Sequence, residues 1–254
     1  MDWSLTISLF LLLSAPFVGS FINLVAERWP KGESFVHGRS HCGHCGHALG
    51  WNDLVPVVSW GIARGKCRYC NIRISIRHPV VELSALGVAV WSFALFSGPM
   101  SWITVLFGWT LLAVSLVDLR WLWLPDALTL ALGLAGLVTG WVLTPADVPG
   151  RLIGAAAAYA ILTLAAWIYR RYRKREGLGA GDPRLFGAIG AWVGWQGLGT
   201  VLLYAGICGL LLVLIRARGA HPVGLTTRLP FGPCLCVGAW LVWLYGPLYV
   251  GPAN

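Results

Sequence analysis

The fold class is decided by residues 102–143, which read WITVLFGWTLLAVSLVDLRWLWLPDALTLALGLAGLVTGWVL. Two apolar blocks, 102–116 and 124–143, flank a short turn that carries Asp118 and Arg120. Apolar blocks of about 15 to 24 residues are close to the length that crosses a hydrocarbon core of roughly 30 Å. This stretch therefore predicts two membrane helices that are joined at one face of the bilayer.

The same pattern extends over the whole chain. Of its 254 residues, 57% are hydrophobic and 11% are charged, and the mean hydropathy is +0.71. Soluble domains carry about a quarter charged residues, so a water-soluble fold is excluded. We predict an all-α polytopic membrane protein with about eight transmembrane helices. They lie near 3–26, 80–96, 102–116, 124–143, 152–169, 184–195, 198–215 and 232–249.

The basic residues predict the orientation of these helices. Segments 27–78, 117–123, 170–183 and 216–231 hold every Lys and Arg except Arg151 and Arg184. The positive-inside rule makes their side cytoplasmic and leaves the N-terminus outside. The net charge of +9 is thus explained by membrane orientation. We predict membrane lipid as a partner and no binding of nucleic acid.

Three domains are predicted along the chain. Residues 1–26 form the first transmembrane helix, which follows no positive charge and precedes a basic cluster, the reverse of a cleaved signal peptide. Residues 27–79 are polar and form a small cytoplasmic insertion. Residues 80–254 contain the remaining helices and the acidic residues considered below.

Two C-x-x-C pairs lie in the polar insertion, Cys42 with Cys45 and Cys67 with Cys70. Two residues between cysteines let both sulfurs face one ion, and four thiolates complete a closed tetrahedral zinc site. Two disulfides are the alternative, but they seldom persist in a reducing cytoplasm. We predict a structural zinc, because a closed site leaves no position for a substrate.

Other metal-binding side chains are assigned no definite role. The histidines beside the first pair are alternative ligands or part of a solvated loop, and they are His41, His44 and His47. Free cysteine in an apolar helix usually behaves as a small hydrophobe, so no function is predicted for Cys208, Cys234 and Cys236.

Acidic residues are scarce, and those near predicted helix ends are Glu82, Asp118, Asp126 and Asp182. Ionisable groups at membrane depth are functional candidates by default. Taken singly, the aspartates also have structural explanations. Asp182 before Pro183 is typical of an N-cap, Asp126 is favoured in a first helical turn, and Asp118 can anchor a helix end beside Arg120.

The combination of Asp118 and Asp182 favours catalysis. Gly179 and Gly181 precede Asp182, and their missing side chains allow a peptide backbone to come close. Paired aspartates that share one proton hydrolyse amides, because one takes a proton from water while the other protonates the carbonyl. We predict that these two carboxylates form the catalytic pair at the cytoplasmic edge, and that Asp126 does not belong to it.

Several motifs follow one another in a specific order. They are Gly19-Ser20-Phe21-Ile22-Asn23, the two cysteine pairs, Pro56–Trp60, Glu82, Asp118, Leu124-Pro125-Asp126, Gly179–Asp182 and Leu229–Pro233. In this order they resemble the type IV prepilin peptidase family of membrane aspartyl proteases, over nearly the whole chain. One departure is Pro183-Arg184, where the family commonly has an aromatic residue and then lysine. The charge is kept and the aromatic ring is lost.

The resemblance implies an endopeptidase of the bacterial inner membrane with a periplasmic N-terminus. It removes a short basic leader from type IV prepilins or type II secretion pseudopilins at the cytoplasmic face. By position, the family's catalytic aspartates map onto Asp118 and Asp182, and its tetracysteine cluster maps onto the four cysteines of the insertion. Many members also methylate the new N-terminus with S-adenosylmethionine. No residue of this chain can be named for that cofactor.

Two other functions are compatible with parts of the sequence. A transporter would use the acidic residues as a proton or ion relay, but they cluster at one interface and none lies in the middle of a helix. A membrane scaffold would recruit partners through the zinc insertion, but it leaves the glycine-rich run before Asp182 unexplained.

Overall fold

A computed structural model describes residues 3–35, 40–174, 177, 179–218 and 229–248. Within these residues the fold is helical, with two isolated antiparallel bridges in the polar insertion. The helices are α1 (Trp3–Arg28), α2 (Val58–Ile62), α3 (Arg77–Leu95), α4 (Gly98–Trp121), α5 (Asp126–Leu143), α6 (Val148–Arg173), α7 (Asp182–Ala217) and α8 (Gly232–Tyr245). The predicted all-α class is confirmed.

Six of these helices are long and apolar enough to cross a membrane, and α8 is a shorter apolar helix. They form because apolar blocks in lipid must satisfy every backbone hydrogen bond internally. Two predicted spans, 184–195 and 198–215, fall within α7, whose 36 residues are interrupted at Gly194. With α7 counted as two spans, the eight predicted helices are accounted for.

The two halves of α7 run in opposite directions. Gly194 has a non-helical backbone, with φ 67° and ψ 179°. A straight helix would separate Asp182 from Cys208 by about 40 Å. Instead, the thiols of Cys208 and of Cys234 in α8 are close enough to interact, and Cys234 lies within electrostatic range of Asp182. The reversal therefore returns the second half of α7 to the end of the bundle where the first half begins.

Arg151 stabilises the reversal from α6. Its Nη1 donates to the carbonyl oxygens of Trp192 at 3.0 Å, Ala191 at 3.4 Å and Gly136 at 3.3 Å. The last carbonyls of a helix have no partner within it and carry partial negative charge. The break in α7 thus explains why Arg151 lies outside the four loop segments that hold nearly all the other basic residues.

Helices α6 and α7 touch through glycines. A methyl group added to Gly154 would lie 2.6 Å from the carbonyl carbon of Gly194 and 2.7 Å from the carbonyl oxygen of Gly190. Small residues allow such close backbone approach in membranes, where packing rather than hydrophobicity drives association. Gly154 is therefore required where α6 crosses the reversal.

The chain divides into two compact units, Met1–Leu116 and Val117–Asn254, and the boundary falls within α4. The first unit contains α1, the cysteine insertion, α2 and α3. The second contains the last turn of α4 and helices α5 to α8. The finer division at residues 26 and 79 stays a prediction.

We expect Gly154→Ala to lower the stability of the detergent-solubilised protein by about 1–3 kcal/mol, because backbone atoms would have to move. Gly206→Ala is the matched control, since it lies in the same kind of helix with open space around it. It should be neutral or slightly stabilising. Thermal unfolding monitored by size-exclusion chromatography compares the two. Equal midpoints would contradict the close α6–α7 contact.

Candidate active site and metal centre

Asp118 lies in the last turn of α4, which continues to Trp121, beyond the predicted end at residue 116. Its side chain is buried, with 5% of the residue exposed. The Oδ2 atom accepts a hydrogen bond of 3.0 Å from the backbone N–H of Gly232, the first residue of α8. The start of α8 therefore fixes one oxygen of this carboxylate.

Asp182 is held in a similar way at the start of α7. It is equally buried, and its Oδ2 accepts a hydrogen bond of 3.0 Å from the N–H of Gly179. The N-cap position is occupied by Gly181, and the carboxylate bonds backwards along the chain. The alternative of Asp182 as an ordinary N-cap is therefore wrong, because its side chain does not satisfy the helix's free N–H groups.

The two carboxylates are brought together in the second unit. Asp118 and Asp182 are close enough to interact electrostatically. Within the described residues, each Oδ2 accepts a glycine N–H and neither Oδ1 has a hydrogen-bond partner. Two like charges in a poorly solvated site cannot both ionise easily, so such a pair favours sharing one proton.

Asp126 lies outside this pair. It is the first residue of α5, 71% of its side chain is exposed, and it forms an ion pair with Arg184. This pairing joins the start of α5 to the start of α7. Its position in the first turn of the helix is as predicted. Arg184, which departs from the family pattern, therefore has Asp126 as its ion-pair partner.

Glycines next to the pair leave no room for side chains. A methyl group on Gly232 would lie 2.7 Å from Oδ2 of Asp118, and one on Gly181 would lie 2.7 Å from Cβ of Leu124. The role of Gly232 was not predicted from the sequence. Gly232 lies in the motif Leu229–Pro233. That motif contributed to the family resemblance, but none of its residues was assigned a function.

The four cysteines of the insertion converge in the first unit. Their sulfurs all lie within 4.8 Å of one another, and Sγ of Cys42 is 3.9 Å from Sγ of Cys70. A tetrahedron with metal–sulfur bonds of about 2.3 Å has edges of about 3.8 Å. The cluster therefore fits one tetrahedral ion. No histidine of the described residues joins this group.

The two cysteine pairs adopt the same backbone turn. The N–H of Cys42 donates to His47 O, and the N–H of Cys67 donates to Ile72 O, each at 2.9 Å. Left-handed residues complete the turns, Gly46 with φ 69° and Asn71 with φ 57°. Each turn presents two sulfurs to the same point, as the predicted spacing requires.

The local charges favour a cation between the sulfurs. Backbone hydrogen bonds with Cys45 and His44 lower the pKa of the Cys42 thiol to about 6. A backbone bond with Ile72 lowers the pKa of Cys70, but desolvation and the neighbouring sulfurs outweigh it and raise the pKa to about 12. Four thiolates this close together would repel one another, and a bound metal would ionise them together.

The first unit also contains a buried acid, Glu82, which was not assigned a role from the sequence. Glu82 of α3 is 5% exposed, and its Oε2 accepts a hydrogen bond of 2.7 Å from the N–H of Val57. Val57 has φ 62° and ψ −52°, and the N–H of Val58 donates to Pro56 O at 2.6 Å. This is a γ-turn with positive φ at a β-branched residue, which costs about 1–3 kcal/mol.

Comparison with known proteins decides the family. Residues 13–96 match the bacterial peptidase A24 N-terminal domain, and residues 105–214 match the type IV leader peptidase family. A prepilin leader peptidase/N-methyltransferase of Burkholderia pseudomallei is 36% identical, with 92% of this chain and 84% of that protein covered. The chain belongs to the type IV leader peptidase family. It is therefore an enzyme, which decides against the transporter and scaffold alternatives.

Other leader peptidases are similarly related. A type 4 prepilin-like proteins leader peptide-processing enzyme of Escherichia coli is 38% identical, with 87% of each chain covered. A prepilin leader peptidase/N-methyltransferase of Pseudomonas aeruginosa is 32% identical, with 92% of this chain and 89% of that protein covered. No solved structure matches the chain.

We expect Gly232→Ala to lower the peptidase rate about tenfold to a hundredfold, because the added methyl displaces the Asp118 carboxylate. Gly206→Ala again serves as the control and should retain the wild-type rate. Initial rates of leader removal in detergent measure both variants. A wild-type rate for Gly232→Ala would show that the Gly232 contact does not position Asp118.

Proposed function

We propose that this leader peptidase cleaves type IV prepilins or type II secretion pseudopilins with Asp118 and Asp182 as its catalytic pair. The observation that carries the proposal is the convergence of two buried carboxylates, each fixed through one oxygen by a glycine N–H. Asp126 of the same unit does not share this environment, since it is exposed and ion-paired.

The proposed reaction uses the two carboxylates in different protonation states. With one proton shared, the ionised carboxylate takes a proton from water, and the resulting nucleophile attacks the scissile carbonyl. The protonated carboxylate donates to the carbonyl oxygen as the tetrahedral intermediate forms. The glycine N–H groups hold the two Oδ2 atoms, which leaves the Oδ1 atoms of Asp118 and Asp182 to face water and substrate.

We place this reaction at the cytoplasmic face of the bacterial inner membrane, with the N-terminus in the periplasm. The basic side chains that support this orientation include those at the end of α6, which are Arg170, Arg171, Arg173 and Lys174. The absence of side chains at Gly179 and Gly181 supports an extended substrate backbone beside Asp182. Its partners are prepilin-like proteins and membrane lipid.

We also propose that Cys42, Cys45, Cys67 and Cys70 hold a structural zinc ion. Within residues 40–76 only Pro56, Gly65 and Cys67 are buried, so this segment has no apolar core of its own. Small segments without a core are commonly stabilised by a metal, and metal binding then supplies the folding free energy. The ion would close the segment and take no part in chemistry.

A second activity, N-methylation of the new N-terminus, is supported by the names of the relatives from Burkholderia pseudomallei and Pseudomonas aeruginosa. We propose S-adenosylmethionine as the methyl donor. The mass of the product formed from a prepilin in its presence reports cleavage and methylation separately.

The catalytic pair is tested by Asp118→Asn and Asp182→Asn. Each variant keeps the side-chain volume and removes the proton exchange, so cleavage should fall at least about 100-fold. Zinc content and folding should be unchanged. The measurement is mass spectrometry of a prepilin incubated with detergent-purified protein.

The matched control for this pair is Asp126→Asn. It removes an exposed ion pair worth about 0–1 kcal/mol, so the rate should change by less than about fivefold. The assignment is wrong if Asp118→Asn cleaves at a near-native rate while a folded Asp126→Asn is inactive.

The metal proposal predicts about one zinc ion per purified chain, measured by elemental analysis. Cys45→Ala should lose most of this zinc, because three ligands remain and the site can no longer close. Cys208→Ala is the control, since Cys208 lies in α7 far along the chain from the cluster and should keep the full zinc content. A fully active, metal-free wild-type preparation would contradict the proposal.

A further inference from the structure

Residues 51–62 of the insertion, WNDLVPVVSWGI, expose several large apolar side chains. The exposed fractions of Trp51, Ile62 and Val58 are 88%, 69% and 54%. The full set, called here the apolar surface, is Trp51, Leu54, Val55, Val58 and Ile62. Single exposed apolar residues are common on proteins, but a dense group of them marks an interaction site.

The packing of α2 turns its apolar side chains outward. The Nε1 atom of Trp60 donates to the carbonyl oxygen of Ile74 at 3.3 Å, and a methyl group added to Gly65 would lie 2.9 Å from the Trp60 ring. Trp60 therefore fixes one side of α2 to the rest of the insertion. Val58 and Ile62 are spaced i, i+4 and lie on the other side of the helix. Their exposure thus follows from the way the insertion folds.

The charges around the apolar surface fit an anionic lipid headgroup. The charged side chain within residues 51–62 is that of Asp53, which is 13% exposed and pairs with Arg68 at 3.2 Å. Arg64 and Lys66 follow α2 and are exposed. An apolar surface bordered by exposed basic side chains is typical of segments that lie in the membrane interface.

The turn before α2 reaches past the ends of the flanking membrane helices. The N–H of Val57 donates to Oε2 of Glu82, whose Cα lies about 7.5 Å along α3 from its start at Arg77. A methyl group added to Gly19 of α1 would lie 2.6 Å from this Cα, and Gly19 precedes the end of α1 at Arg28 by about 14 Å. Both helices are candidate membrane spans. The turn therefore lies at the depth of the lipid interface.

The apolar surface continues onto the lipid-facing side of α3. Val58 directly follows the residue that bonds to Glu82, and the exposed residues Val80 and Leu83 lie on either side of Glu82 in the α3 sequence. An exposed apolar face on a membrane span contacts acyl chains. The leaflet that covers this end of α3 is thus within reach of α2.

We propose that residues 51–62 lie in the lipid leaflet at which α1 ends and α3 begins, with the apolar surface at the boundary between headgroups and acyl chains. In the orientation proposed above this is the cytoplasmic leaflet. The amphipathic ring of Trp51 lies at the level of the headgroups, and the basic residues after α2 bind lipid phosphates. The insertion is then anchored in the membrane surface between its two flanking helices.

The direct test places a photoreactive side chain on the apolar surface. The full-length variant Ile62→p-benzoylphenylalanine is reconstituted into vesicles of phosphatidylethanolamine and phosphatidylglycerol and irradiated. We expect an intact mass increased by that of a phospholipid, at a yield at least about tenfold above that of the control. The matched control is Ala48→p-benzoylphenylalanine, because Ala48 is an exposed position of the same insertion outside the apolar surface.

Other occupants of the surface give different products. A crosslinked dimer in place of the lipid adduct would show that a second copy covers it, and a crosslink to an added prepilin would show that the substrate does. Either product overturns the inference. Equal yields of lipid adduct at residues 48 and 62 also overturn it, since the apolar surface would then have no preference for lipid.

A second measurement uses the wild-type protein and does not depend on how the variants fold. The vesicles contain a phospholipid with a diazirine at the headgroup end of one acyl chain, and labelled peptides are mapped after irradiation. Label is expected within residues 51–62 as well as in the membrane helices. Label in the helices with none in residues 51–62 contradicts the inference. Leader removal measured in the same vesicles tests the peptidase proposal separately.

Discussion

The structure depends on a carboxylate that must lie buried at the end of an apolar helix bundle. Burial makes the charge costly unless a donor approaches it, and the donor to Asp118 is the N–H of Gly232. A side chain at residue 232 would collide with the same oxygen, so this contact is restricted to glycine. The bond therefore links the acid on α4 to the start of α8.

This constraint explains why α7 has to reverse. Helix α8 can begin beside Asp118 only if the chain returns to that end of the bundle after α7 has left it. Gly194 permits the turn through its positive φ, and Arg151 binds the carbonyls near the break. Glycine contacts between α6 and α7 then pack the reversal. A glycine and a half-buried arginine far from the carboxylates thus help to position the aspartate pair.

Much of this could be predicted from the sequence, because its signals are local. Apolar block length predicted the helices, including the two halves of α7, and the cysteine spacing predicted four converging sulfurs. The contact of Gly232 with Asp118 could not be predicted, since it joins residues far apart along the chain. The γ-turn at Val57 could not be predicted either. Valine has no local preference for positive φ, so tertiary contacts must impose this conformation.

The cysteine cluster and the strained turn at Val57 are physically linked, because both lie in the same small insertion. The insertion buries too little apolar surface to hold an unfavourable backbone conformation by packing alone. A four-sulfur metal site would supply the missing stability and fix both cysteine turns, between which Val57 lies. Since the Val57 N–H donates to Glu82, stability gained at the metal reaches this buried acid through the backbone. A closed metal site with no chemistry of its own can in this way fix the position of a buried carboxylate.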